Sequence, residues 1–154
     1  MSSLEQLYTM AQQRCLEREL PYAGALTPNE AFEVLQSDRS ARLVDVRTRA
    51  ELDWVGRPAI NSSQYLHLEW MSYPSGAPNL AFINQLREMV TLETPLLLLC
   101  RSAGRSKLAA AAAARAGFTG AFDVLEGFEG DKDNGGHRNT INGWRWQGLP
   151  WLGV

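Results

Sequence analysis

Residues Pro95 to Cys100 read PLLLLC, and no other stretch limits the possible folds of this chain so tightly. A strand with an apolar residue at every position has no face for water, so it belongs in a sheet covered on both faces, which is the parallel α/β pattern. The residues that follow agree. RSAGRS, Arg101 to Ser106, is a short polar loop, and KLAAAAAARA is helical by composition, alanine being the best helix former. In open parallel sheets ligands bind beyond the carboxyl ends of the strands. Cys100 stands at such an end.

The rest of the chain supplies more units of the same kind. SLEQLYTMAQQRCLEREL spaces Leu4, Leu7, Tyr8, Ala11 and Cys15 as one face of a helix capped by Ser3 and closed by Pro21, with Cys15 as a small packed residue. Ala25 and Leu26 form a short strand. Thr27 then caps a helix with Pro28 in its first turn and Glu30 three residues after the cap. RLVDVR contributes the strand residues Leu43, Val44 and Val46, and Thr48 caps a helical turn with Glu51 again three residues on. QYLHLEW alternates as a strand with Leu66, Leu68 and Trp70 on one face. NLAFINQLREMVTL is a helix with a stripe of Leu80, Ile83, Leu86, Met89 and Val90, and AFDVLEG is the last strand. Strands alternating with helices predict three layers: a mostly parallel central sheet with helices on both faces, an N-terminal helix and a Gly/Trp-rich C-terminal loop. The expected organisation is a single domain over 1–154, with the N-terminal helix at 1–21, the core at 25–126 and a C-terminal wrap at 127–154.

Several function classes fall away on composition. A formal net charge of -2 gives no general basic field, so no nucleic-acid partner is expected. No apolar run of membrane-spanning length occurs, and MSSLEQLYTM lacks a cationic segment followed by an apolar one, so the expectation is a cytoplasmic protein with no membrane partner. Cys15 and Cys100 fit no metal spacing and are too few for a disulfide framework. The stretch opening with DKDNGG at Asp131 has Asn142 in place of the acid at the twelfth position of a calcium loop, so no metal is expected, and chemistry by a cysteine nucleophile needs no organic cofactor.

Chemistry is concentrated at Cys100. The loop after it opens a helix, so unpaired backbone N–H groups and the positive end of the helix dipole should curl around the sulfur, with Arg101 and Arg105 adding charge. Such surroundings favour the thiolate, the nucleophilic form. Gly104 is expected to supply the positive φ that a tight nest of amides requires.

LVDVR at Leu43 to Arg47, the acid Glu51 and CRSAGRS before a small-residue helix resemble the single-domain rhodaneses, sulfurtransferases that carry sulfur as a cysteine persulfide. The resemblance runs from ALTPNEA to VLEGF. It implies that Cys100 is the sulfur carrier, that Arg101, Ser102, Ala103, Gly104, Arg105 and Ser106 cradle the outer sulfur, and that Asp45 and Arg47 support the loop. It further implies a small sulfur-containing anion such as thiosulfate as donor and a small thiol or a protein as acceptor; the protein itself is expected to be a monomer or weak homo-oligomer. Where many rhodaneses have a His-x-Pro-Gly turn, this chain reads VGRPAINSSQ. Two alternatives stay open: a cysteine-dependent phosphatase of related fold and a non-catalytic binding module of the same fold. In tyrosine-type phosphatases the loop arginine is sixth after the cysteine; here it is fifth, making a ring better matched to one sulfur atom than to a phosphoryl group.

GFEGDKDNGGHRNTINGWRWQGLPW is too long for an ordinary connection and reads as a surface wrap or functional loop. His137 and Arg138 could overhang the cysteine loop. Trp144, Trp146 and Trp151 are expected to cover apolar surface left open by the sheet.

Overall fold

A computed structural model describes residues 3–153. Helix α1 (Leu4–Arg18) is followed by strand β1 (Gly24–Leu26), helix α2 (Pro28–Ser37), strand β2 (Arg42–Asp45) and helix α3 (Arg49–Val55). Strand β3 (Arg57–Pro58), a single 3-10 turn over Ser62–Gln64 and strand β4 (Tyr65–His67) come next. Helix α4 (Phe82–Met89), strand β5 (Leu96–Leu99), helix α5 (Gly104–Arg115), strand β6 (Ala121–Val124) and strand β7 (Trp151–Leu152) complete the order. Helices α1, α2 and α3 all begin with a capping box: Ser3 with Gln6, Thr27 with Glu30, and Thr48 with Glu51.

The main sheet has the order β1-β6-β5-β2-β4, with every pairing parallel. The leucine run is central, between β2 and β6, and Leu96 to Leu99 are fully buried. Alternate residues of the run enter different cores. Leu96, Leu98 and Cys100 pack with Phe82 and Leu86 of α4 and the alanines of α5, while Leu97 and Leu99 pack with Leu7 and Ala11 of α1, Val34 and Leu35 of α2, and Trp144. This is the three-layer arrangement expected of a strand with no polar face. Among the described residues no helix is long and apolar enough to cross a membrane.

Three expectations about packing are corrected. Leu80 lies ahead of α4 and is exposed, Met89 is exposed at its last turn, and Phe82 takes the buried place, because the helix starts two residues later than its apolar stripe suggests. Cys15 is only half-buried, its S–H donating to the Leu20 carbonyl at 3.4 Å where the chain turns out of α1. Of the tail tryptophans, Trp144 is buried, whereas Trp146 is half exposed. Trp151 lies partly open in β7, which pairs antiparallel with β3, and its ring packs under the Arg145 guanidinium at 3.9 Å.

Candidate active site

The cysteine loop is held from behind by the tail. The Cys100 carbonyl accepts from the Phe128 amide at 2.8 Å, and the Arg101 carbonyl accepts from Glu129 at 2.9 Å and Gly130 at 3.2 Å. Gly127 permits this approach: it has φ 72°, and a Cβ there would lie 2.4 Å from the Arg101 carbonyl oxygen. The loop backbone is thereby fixed through its carbonyls and not through its amides. Those of Ser102 and Ala103 have no hydrogen-bond partner among the described residues. They sit at the start of α5, where the helix dipole also favours an anion.

The positive φ falls on Ala103 (76°), the residue before the helix, and Gly104 is the first helical residue with open space where a Cβ would be. This corrects the expectation for Gly104. The loop turns one residue earlier than the glycine, and α5 begins at Gly104 with Arg105 and Ser106 in its first turn. An alanine in the left-handed region costs about 1–2 kcal/mol, met by the surrounding bonds to the tail.

Arg105 and Arg101 are not equivalent. Arg105 Nη1 and Nη2 donate to Glu51 Oε1 and Oε2 at 2.6 and 2.8 Å, a two-pronged pair joining α5 to α3. Burial alone would raise the pKa of Glu51, but the bonds from Arg105 and Thr48 outweigh it and hold it at about 2. The Arg101 side chain is exposed and makes no hydrogen bond or ion pair among the described residues. The charge available to an incoming anion is therefore mainly that of Arg101, and Arg105 braces the loop.

Asp45 and Arg47 are fully buried and bound to each other, Arg47 Nε to Asp45 Oδ1 at 2.9 Å and Nη2 to Oδ2 at 2.7 Å. Tyr65 donates to Asp45 Oδ2 at 2.7 Å, and the Arg47 guanidinium lies 4.3 Å over the Phe128 ring. Through Phe128 this pair touches the segment that binds the Cys100 carbonyl.

Cys100 is buried, and its S–H donates to Ser106 Oγ at 3.4 Å. The Ser106 hydroxyl donates in turn to Asp123 Oδ1 at 2.5 Å. Asp123 was not singled out from the sequence; the signal was an acid inside the otherwise apolar AFDV strand. Nor were the groove residues. A groove of about 480 Å³ has Arg101, Arg105, Glu129, Trp54 and Tyr73 in its lining, the two aromatic rings meeting edge to face at 5.6 Å. His137 and Arg138 do not line it; Arg138 donates to the Gly130 carbonyl at 2.6 Å and His137 is exposed beside Asp133.

The family model of the rhodanese-like domain matches residues 27–134. The chain belongs to the rhodanese-like family. An uncharacterized protein of Rickettsia rickettsii is 34% identical over 124 residues, covering 79% of this chain and 91% of that protein. Among solved structures, Rv0390 from M. tuberculosis superposes with a TM-score of 0.78 at 43% identity, covering 86% of this chain and 99% of that one. The polysulfide-sulfur transferase homodimer of Wolinella succinogenes superposes at 0.59 with 21% identity, covering 99% and 95%, a likeness of fold. The rhodanese-like frame accounts for the place of the cysteine loop at the carboxyl end of the central strand.

Proposed function

We propose that this rhodanese-like protein is a sulfurtransferase in which Cys100 carries a sulfane sulfur between an anionic donor and a thiophilic acceptor. The observation that supports it is the cradle itself: a cysteine at the end of β5, followed by unpartnered amides at a helix N-terminus and a five-residue step to a braced arginine. The Cys100 thiolate attacks the outer sulfur of thiosulfate, the sulfur–sulfur bond of the donor breaks, and sulfite leaves with its electron pair. The new Cys100 persulfide is an anion, and the unpartnered amides of Ser102 and Ala103 are the groups that would hold it. A thiol or cyanide acceptor then attacks the outer sulfur and restores the thiolate. Arg101 draws the donor in, and Asp45 and Arg47 keep the loop in place through Phe128.

The thiosulfate:cyanide assay tests this reading. Cys100→Ser is expected to fold and to have no turnover, because a serine oxygen is not ionised at neutral pH and cannot hold a sulfane sulfur, and Cys15→Ser is expected to keep full turnover. Turnover in Cys100→Ser would overturn the proposal. Robust aryl phosphate hydrolysis by the wild type would favour the phosphatase reading instead.

A further inference from the structure

Cys100, Ser106 and Asp123 form a hydrogen-bonded chain in the buried interior. Cys100, Ser106 and Asp123 are all essentially inaccessible to solvent, at 1%, 0% and 0% relative exposure. The sulfur is 3.4 Å from Ser106 Oγ, and Ser106 Oγ is 2.5 Å from Asp123 Oδ1. The other carboxyl oxygen of Asp123 is buried with no partner. Nothing in the support of the loop requires a charge there: Ser106 could satisfy itself on a backbone carbonyl of its own helix, or on a neutral amide.

A serine hydroxyl has one proton, so it cannot donate to the sulfur and to the carboxylate at once. While Asp123 is ionised, Ser106 donates to it, and the sulfur must be a thiol that donates to Ser106. When Asp123 is protonated it donates to Ser106 Oγ, whose own proton is then free to turn to a thiolate or persulfide. We infer that Asp123 is a positioning residue that stores the proton of Cys100, received through the Ser106 hydroxyl.

The step balances without a further reactant. The S–H bond breaks as Ser106 Oγ takes that proton, and the Ser106 O–H bond breaks as Asp123 takes the other, so thiol plus carboxylate becomes thiolate plus carboxylic acid. Attack on thiosulfate then turns the thiolate into a persulfide anion while Asp123 stays neutral. The buried site carries one negative charge as thiol and carboxylate, as thiolate and acid, and as persulfide and acid, so loading the sulfur brings no additional charge into a region where charge is costly.

The surroundings fit this role. Asp123 on β6 is bonded to Ser106 of α5, through which Cys100 reaches it, and lies near Lys107 of α5 and Tyr22 of the segment before β1; Tyr22 in turn lies near Arg18 and Cys15 of α1. Lys107 is exposed and forms no ion pair with Asp123, so its charge only partly offsets the effect of burial on the carboxylate. Burial raises the pKa of Asp123, opposed by Ser106 and by Lys107, to about 6, above the ordinary carboxylate range.

The inference gives meaning to the proposed sulfur transfer, but its test needs no donor. In a Cys15→Ser background, the thiolate absorbance of Cys100 in the ultraviolet and the protonated-carboxyl stretch of Asp123 in the infrared are followed against pH, the second assigned by its absence in Asp123→Asn. Coupled groups report on each other. In Cys100→Ser the Asp123 carboxyl is expected to lose its proton at least about one pH unit lower than with Cys100 present, and over that interval the Cys100 protein is expected to show the carboxyl stretch and the thiolate together. Asp123→Asn and Ser106→Ala are each expected to change the course of the Cys100 titration. An Asp123 titration unchanged in Cys100→Ser, with a Cys100 titration unchanged in Asp123→Asn, would overturn the relay. Failure of sulfur transfer alongside coupled titration would instead remove the sulfurtransferase reading and leave the relay standing.

Discussion

Replacing Glu51 by Gln removes the charge that Arg105 grips with both nitrogens, and the structure sets the size of the effect. The Glu51 carboxylate also accepts from the Thr48 amide and hydroxyl, each at 3.0 Å, so one side chain closes the capping box of α3 and braces the first turn of α5. Its side chain is about a fifth exposed. The pKa falls from an ordinary 4.5 to about 2, and at about 1.4 kcal/mol per pKa unit this corresponds to about 3 kcal/mol of stability. The folded state binds fewer protons than the unfolded chain between these two values. The contribution is thus complete above about pH 4.5 and lost as pH falls through about 2. Urea denaturation of Glu51→Gln at pH 7 is expected to show a loss of about 2–3 kcal/mol, the amide keeping part of the cap, and the gap to wild type is expected to narrow steadily below pH 4.5. Arg105, released from its partner, becomes a second cation for the donor, so folded Glu51→Gln is expected to have a lower KM for thiosulfate. A gap that is absent at pH 7, or that stays constant down to pH 3, would refute the bracing role.

Two further outcomes follow from the loop and the groove. Gly104→Ala is expected to be neutral or to stabilise by up to about 1 kcal/mol in chemical denaturation, since Gly104 is helical with open space at its Cβ position; a loss above about 1 kcal/mol would mean that Gly104, not Ala103, makes the left-handed turn. If the groove beside Arg101 receives the aryl group of a larger donor, Trp54→Ala is expected to raise KM for an aryl thiosulfonate about three- to tenfold while leaving thiosulfate KM unchanged, because the edge-to-face pair with Tyr73 lines that groove. Equal effects on both donors would place the aryl group elsewhere.

The elements with local signals were legible in the sequence, and what depends on long-range contact was not. Leu96 to Leu99 announce a strand buried on both faces, and Thr27 with Glu30 or Thr48 with Glu51 mark helix starts by chemistry acting over three residues. The place of Cys100 followed from the strand, loop and helix order. The identity of the left-handed residue did not, because composition favours glycine while the start of α5 decides the turn. Sequence distance hid the pairing of Arg105 with Glu51, 54 positions away, so both arginines read as available to the donor. Asp123 was hidden in the same way. Its meaning comes from Ser106, which reaches it only because α5 packs back onto β6. The tail gave composition without period, and its work is done by single contacts such as Gly127 against the Arg101 backbone.

The central claim, that Cys100 is the sulfur carrier, is tested most directly by mass spectrometry of the protein after incubation with thiosulfate and removal of excess donor. The expected result is a gain of one sulfur atom, located on the peptide containing Cys100, absent in Cys100→Ser and removed by cyanide with release of thiocyanate. A protein that gains no mass, or that gains sulfur on Cys15 with Cys100 unmodified, would contradict it.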